Sequence, residues 1–240
     1  MNGAIASTTG RRGRTRHALA FAALCAAIVA TVAVSSAGAR NAKVVGKTRH
    51  TPDPACPKSP CEAVGSVTGF QLVADGEKRP FRVRRDGKLV AWAIDLSRPN
   101  KSQRNFFGKF YKSSRFGSKP TARIAVLNHK GRAGYKLLRQ SPVAKLSGAL
   151  GQKEVFTLNK PLRIRRGNIV ALTIPTWSSA FAVGLSARGN QWRASRAHGR
   201  CTGNKDIRRS RPQQKVGSVR EYGCDYKTAR LLYWGYYLPD

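Results

Sequence analysis

The chain has 240 residues, of which 45 are Lys or Arg and only 11 are Asp or Glu, so its formal net charge at pH 7 is +34. A cationic excess of this size favours polyanionic partners over neutral or cationic ones. The scarcity of acidic side chains argues against calcium sites and against the paired carboxylates of most glycosidases.

The first 39 residues have the organisation of a secretory signal peptide. Four arginines between positions 11 and 16 precede an apolar run of 17 residues at 18–34, and small residues follow up to Ala39. The run is shorter than the roughly 20 residues that span a bilayer as a helix. Cleavage after about Ala39 lowers the formal charge from +34 to +30. We therefore predict a secreted protein with no membrane span in its mature chain; the alternative is an uncleaved N-terminal membrane anchor.

Four cysteines follow the predicted signal peptide, and an even number in an exported chain predicts two disulfides. They are Cys56, Cys61, Cys201 and Cys224. Of the three possible pairings we favour Cys56–Cys61 and Cys201–Cys224, because the partners in each are close in sequence. The alternative is a zinc site, but the C-x4-C spacing at Cys56 is not the usual spacing of a zinc finger. We predict no metal and no cofactor.

Residues 40–63 predict a linker, because a polar, basic stretch is followed by four prolines. From residue 64 onward, short β-like runs are separated by turn residues, and a sustained helical period is missing. The predicted strands include residues 80–85, 105–111 and 230–238.

This pattern predicts one all-β domain over residues 64–240, an antiparallel β-sandwich or jelly roll of about ten strands with little helix. An open barrel is the alternative. Residues 188–229 are rich in charge and poor in apolar side chains, and they predict a long loop that the Cys201–Cys224 disulfide closes.

A basic strand, a tight turn and an apolar strand occur at residues 79–94, and a similar unit follows at residues 160–174. Alternation along these strands places Phe81 and Val83 toward the core and arginines toward solvent, roughly 6.6–6.8 Å apart. Four outward arginines are therefore candidate binding residues: Arg82, Arg84, Arg163 and Arg165. Arginine forms bidentate hydrogen bonds with phosphate and carboxylate groups. The alternative role is protection of edge strands against aggregation.

The C-terminal run at residues 231–238 is apolar or aromatic on both faces. If one face is open, Tyr233 and Tyr237 are candidates for stacking on sugar rings, with Trp177 or Trp192 beside them. The alternative is core packing, because a strand that is apolar on both faces is usually covered on both.

Motifs of known enzymes are missing from the sequence, which contains no G-x-S-x-G, no H-E-x-x-H and no glycine-rich phosphate loop. His129 lies at the end of a predicted strand and is interpreted as a turn residue. A glycosidase needs two carboxylates across a cleft, and a pair such as Asp95 with Glu154 stays open. No specific nucleic-acid-binding motif is found, and we predict no catalytic residue.

The blocks YKLLR at residues 135–139 and PLRIRRGNIVAL at residues 161–172, together with the signal peptide and the high Arg and Ala content, resemble the uncharacterised secreted β-proteins common in actinobacteria. The resemblance covers residues 64–186 and implies a β-sandwich, but it brings no known active site.

Our leading hypothesis is an exported, non-catalytic β-sandwich that binds an anionic or glycan polymer at the cell surface or outside the cell. The alternatives are an extracellular polysaccharide hydrolase and a structural envelope protein without a ligand. The sequence leaves the oligomeric state open.

Overall fold

Antiparallel strands form most of the regular structure in the computed structural model, which describes residues 42–56, 61–112 and 115–240. This confirms the predicted all-β class. Fifteen strands are present there: β1 (Lys43–Val45), β2 (Val64–Ala74), β3 (Glu77–Lys78), β4 (Gly87–Asp95), β5 (Thr121–His129), β6 (Gly134–Gln140), β7 (Ala144–Lys145), β8 (Lys153–Ile164), β9 (Ile169–Ser178), β10 (Phe181–Ala182), β11 (Gln191–Ala194), β12 (Val219–Glu221), β13 (Cys224–Lys227), β14 (Arg230–Leu231) and β15 (Tyr233–Pro239). The helices are α1 (Lys101–Phe110), a 3-10 turn (Ser147–Ala149) and α2 (Asn204–Arg209).

Two sheets pack face to face in a sandwich-like arrangement. The smaller has four strands in the order β1-β15-β4-β8. The larger has the order β12-β6-β5-β9-β2-β11-β13, with β3 paired to β2 and β7 paired to β5, and a separate pair joins β10 to β14. Leu89 and Trp92 of the small sheet share one buried cluster with Val67, Ile124 and Val170 of the large sheet. The core therefore lies between the inner faces.

Strand β9 is buried over nearly its whole length, which indicates that the large sheet is covered on both faces. The inner face meets the small sheet, and the outer face is covered by residues 210–223, here called the covering segment. Gln213 donates from its backbone N–H to Oγ1 of Thr68 at 3.0 Å, and the Tyr222 hydroxyl donates to Oε1 of Gln213 at 2.8 Å. The covering segment is thus anchored by buried polar contacts and one aromatic side chain.

Residues 188–229, predicted as a long loop, contain strands β11, β12 and β13 and helix α2. Strand β11 pairs with both β2 and β13, and β12 pairs with the edge of β6. Residues 188–229 are ordered by strand pairing and by hydrogen bonds to the face of the large sheet. A count of apolar residues does not detect this kind of order.

Two predicted strands differ in the structure. Residues 105–111 fall largely in α1, where the Asn100 side chain accepts from the Gln103 backbone N–H and the Gln103 side chain accepts from the Asn100 N–H. This reciprocal capping box fixes a helix start. Residues 80–85 form no regular strand and have a single bridge, between Arg82 and Ile169.

The segment predicted as a linker contributes an edge strand. Strand β1 pairs with β15, and Val45 is buried in the core. The guanidinium group of Arg230 donates to the His50 carbonyl at 2.9 Å and to Oγ1 of Thr48 at 2.8 Å. Residues 42–56 therefore pack on the domain.

Both predicted disulfides, Cys56–Cys61 and Cys201–Cys224, are confirmed. The second connects β13 to the turn after β11 and holds that part of the sheet edge together. The predicted signal peptide lies outside the described residues. Within the described ranges, no helix is long and apolar enough to cross a membrane.

Candidate ligand-binding site

Two adjoining cavities share the side chains of Arg79 and Arg82. The first has a volume of about 340 Å³ and a mainly apolar lining that includes Phe70, Leu72 and Tyr135. The second has a volume of about 410 Å³, and its lining is almost entirely cationic: Lys78, Arg79, Arg82, Val83, Arg84 and Arg166. The pair of cavities forms an apolar recess beside a cationic one.

The apolar recess exists because the covering segment ends before the sheet does. Alternation along β2 points Phe70 and Leu72 to the outer face of the large sheet. The Tyr222 ring contacts the rings of Phe70 and Tyr135, with centroid separations of 5.8 and 4.9 Å. Phe70 and Tyr135 also meet edge to face at 5.1 Å. Phe70 and Tyr135 are only 2% and 4% exposed, so a small part of each side chain borders the recess.

The segment at residues 79–86, here called the arginine loop, is fixed against the start of β9. Val83 donates from its N–H to the Asn168 carbonyl at 2.8 Å, and Phe81 accepts at its carbonyl from the Val170 N–H at 3.0 Å. The side chains of Phe81 and Val83 are buried, whereas that of Arg82 between them is exposed. This alternation, predicted from the sequence, holds Arg82 at the mouth of both cavities.

Arg79 begins the arginine loop in a left-handed backbone conformation, with φ of 55°. A non-glycine residue adopts this conformation at a cost of about 1–2 kcal/mol. The Arg79 carbonyl accepts from the Arg82 N–H at 3.0 Å, which closes a tight turn. The turn brings both guanidinium groups to the same pair of cavities.

The cations around the apolar recess differ in how far they are neutralised. Arg193 forms a bidentate ion pair with Asp225, with N–O distances of 2.6 and 2.7 Å. The Asp225 carboxylate raises the pKa of Arg193 above its usual value. Within the described ranges, neither Arg79 nor Arg82 has an ion-pair partner. These two side chains are therefore available to an external anion.

The structure divides the four predicted arginines into two pairs. Arg82 and Arg84 line the cationic cavity, whereas Arg163 and Arg165 are exposed but line neither cavity. Arg163 lies on edge strand β8, opposite Lys88 of β4. Arg163 and Arg165 are therefore not part of the cationic cavity.

The proposed stacking role of the C-terminal tyrosines is wrong, because both side chains belong to the core. Tyr233 is 1% exposed and donates from its hydroxyl to the Val170 carbonyl at 3.0 Å. Tyr237 is 5% exposed and packs in the same cluster. Trp177 and Trp192 are buried as well.

Several residues that line the two cavities are not predicted from the sequence: Lys78, Arg79, Arg166, Phe70 and Tyr135. The sequence signal for Lys78 and Arg79 was present, since they directly precede the predicted strand at residues 80–85. The recess wall had no such signal, because its exposure depends on where the covering segment ends.

Asp95 and Glu154, the candidate carboxylate pair of a polysaccharide hydrolase, do not face one another. In the β4–β8 register, Asp95 lies opposite Lys153, and Ile94 lies opposite Glu154. Directly opposed residues share a face and successive residues alternate, so Asp95 and Glu154 point to opposite faces of the sheet.

His129 lies at the rim of the apolar recess, where Nε2 is 2.9 Å from the Arg132 carbonyl oxygen.

Comparison with protein-family models, with curated proteins and with solved structures finds no match to this chain. In the residues that the structure describes, no cluster of three or more His, Cys, Asp or Glu side chains is placed to hold a metal ion.

Proposed function

We propose that the protein binds an anionic polymer that carries phosphate, sulfate or carboxylate groups, at the cell surface or outside the cell, without catalysing a reaction. The observation that supports this most directly is the position of Arg79 and Arg82. They border an apolar recess on one side and belong to a five-cation cavity on the other.

The two cavities suit different parts of one ligand. Arginine pairs with phosphate and carboxylate oxygens through two parallel hydrogen bonds, and such charge-assisted bonds are the stronger ones. The recess beside them accommodates an apolar group, such as the less polar face of a sugar ring, against Phe70, Leu72 and Ile169. The charged groups supply affinity for any polyanion, and the recess selects among polyanions.

Secretion is part of the proposal. The organisation of residues 1–39 supports it, and the two disulfides agree with an oxidising compartment. In such a compartment, acidic polymers of the cell envelope are the abundant partners for a strongly basic protein.

The test compares two variants that remove the same charge from exposed arginines, Arg82→Gln/Arg84→Gln and Arg163→Gln/Arg165→Gln. Binding is measured to heparin and to a purified anionic wall polymer over a range of salt concentrations. We expect the first variant to lose about tenfold or more in affinity, equivalent to about 1.4 kcal/mol, and the second to lose about twofold or less.

Salt dependence gives a second readout. Affinity falls linearly on a log–log plot against salt, with a slope that scales with the number of anionic groups contacted. The Arg82/Arg84 variant is expected to show a shallower slope, by roughly one to two, and the Arg163/Arg165 variant an unchanged one. Equal losses for both variants, or binding that is insensitive to salt, would contradict the proposed site.

A further inference from the structure

A third cavity, of about 1030 Å³, lies among α1, residues 117–120 and the 3-10 turn at residues 147–149. Its charged lining consists of cations: Arg98, Arg104, Lys109, Lys112 and Lys119. Its volume is slightly larger than the roughly 300–1,000 Å³ of most small-ligand sites. It shares no lining residue with the two cavities around Arg82.

The frame of this cavity is held by specific contacts. The Trp177 Nε1–H donates to the Ser118 carbonyl at 2.7 Å, and the Phe107 ring packs on Trp177 with centroids 5.3 Å apart. Gly108 allows α1 to approach closely, since a Cβ there would lie 2.9 Å from the Ser118 carbonyl oxygen. The helix is thereby fixed beside residues 117–120, with Arg104 and Lys109 directed to the cavity between them.

Electrostatics favour an anionic occupant. None of the five cations has an ion-pair partner in the described part of the chain. Like charges gathered around one concave surface repel one another, and the concave shape concentrates their field. A multivalent anion bound there removes this repulsion, whereas a neutral ligand does not.

The position of this cavity relative to the first site follows from strand β9. Ile169, at the beginning of β9, lines the apolar recess, and Trp177, near its end, lines the third cavity. At 3.3–3.4 Å per residue, these positions are separated by roughly 27 Å. The two cationic sites therefore lie at opposite ends of the large sheet.

We infer that the protein is bivalent and bridges two segments of anionic polymer, one at each end of β9. This inference rests on the proposed function for the site at Arg82 and adds the second site. Two linked sites bind a long polymer with higher apparent affinity than either does alone. They also cross-link separate polymer chains when polymer and protein are present at comparable concentrations.

Calorimetry with tripolyphosphate, which is too short to reach both sites, measures the number of sites. We expect two per chain for the unaltered protein and for Arg163→Gln/Arg165→Gln. We expect one site per chain for Arg82→Gln/Arg84→Gln and one site per chain for Arg104→Gln/Lys109→Gln. Glutamine is chosen because it keeps the helix propensity of α1 close to that of Arg and Lys, and circular dichroism checks that each variant is folded.

Light scattering with long heparin measures bridging. The unaltered protein is expected to give maximal scattering at an intermediate ratio of protein to polymer, and each single-site variant at least a tenfold lower signal. Two sites that persist in the Arg104/Lys109 variant, or undiminished scattering, would overturn the bivalent inference and leave the proposed function intact. Loss of a site only in the Arg104/Lys109 variant would overturn the role of Arg82 and leave the third cavity as a binding site.

Discussion

The rings of Phe81 and Tyr233 are stacked, with centroids 4.1 Å apart and planes inclined by 18°. Phe81 belongs to the arginine loop and lines the apolar recess, whereas Tyr233 lies in β15 and is hydrogen-bonded to the Val170 carbonyl. The stack therefore connects the binding loop to the centre of the core. It explains how an irregular segment holds Arg82 in a defined position.

Truncation of this stack tests whether the core positions the loop. Phe81→Ala is expected to lower the free energy of unfolding by about 3–5 kcal/mol. It is also expected to weaken heparin binding, because Arg82 loses the packing that holds it in position. Tyr233→Phe keeps the ring and removes one hydrogen bond, at a cost of about 1 kcal/mol. Urea unfolding gives the stabilities, and binding is measured where both variants are folded. Heparin affinity that is unchanged in folded Phe81→Ala would contradict the positioning role.

The Cys201–Cys224 disulfide is expected to contribute more stability than Cys56–Cys61, because it closes a loop with a sequence separation of 23 rather than 5. Chain entropy gives about 3 kcal/mol for the longer loop and about 2 kcal/mol for the shorter one. Cys201→Ser/Cys224→Ser is expected to lower Tm by roughly 6–12 °C.

Differential scanning calorimetry of the two double variants, each with the other disulfide intact, measures the difference. A larger loss of Tm in Cys56→Ser/Cys61→Ser than in Cys201→Ser/Cys224→Ser would contradict the expected order.

Three buried tyrosines make the fold sensitive to alkaline pH. Burial raises the pKa of Tyr111 to about 12 and raises the pKa values of Tyr222 and Tyr233 above their usual value. The unfolded chain ionises these groups near pH 10. Their contribution to stability is therefore complete below pH 10 and is lost as the pH rises toward about 12 and beyond.

Absorbance at 295 nm follows ionisation of the seven tyrosines of the chain, and circular dichroism follows unfolding. We expect part of the tyrosine signal to appear only above pH 12 or together with unfolding. The variant Tyr111→Phe is expected to make stability less dependent on pH between 10 and 12. A single ionisation step near pH 10 in the folded protein would contradict the burial of these hydroxyls.

The sequence was sufficient for the fold class and for the disulfide pairing, because strand alternation and cysteine spacing are local properties. Helix α1 shows where local inference failed. Its Asn100–Gln103 capping box was present in the sequence, but Phe106, Phe107 and Phe110 resemble strand residues. The cap fixes the helix start, and packing of Phe107 on Trp177 holds the helix in place.

Prediction of the candidate site was partial for a similar reason. Arg82 and Arg84 were found because they alternate with two core residues. The apolar recess depends on the end of the covering segment, more than 70 residues away from Tyr135 in the sequence. The exposure of Tyr233 and Tyr237 was equally undetermined by sequence, since a run that is apolar on both faces does not reveal which faces are covered.

Arg230 provides a test of where the folded domain begins. Its side chain is 2% exposed, and its guanidinium group donates to Thr48 and to the His50 carbonyl. Burial lowers the pKa of Arg230 below its usual value, and the negative charges of Asp75 and Glu77 offset part of this effect. A chain of residues 64–240 lacks both acceptors and strand β1, so we expect it to be less stable than residues 42–240 by at least about 3 kcal/mol.

Arg230→Leu, introduced into both chains, distinguishes the stability contributed by the Arg230 hydrogen bonds from the stability contributed by strand β1. In residues 42–240 the substitution breaks satisfied hydrogen bonds and should destabilise the fold by about 1.5–3 kcal/mol. In residues 64–240 the guanidinium group has lost both acceptors, so the same substitution should cost at least about 1 kcal/mol less. Urea unfolding of the four chains completes the cycle. An equal effect of Arg230→Leu in both chains would show that residues 48–50 do not stabilise this cation.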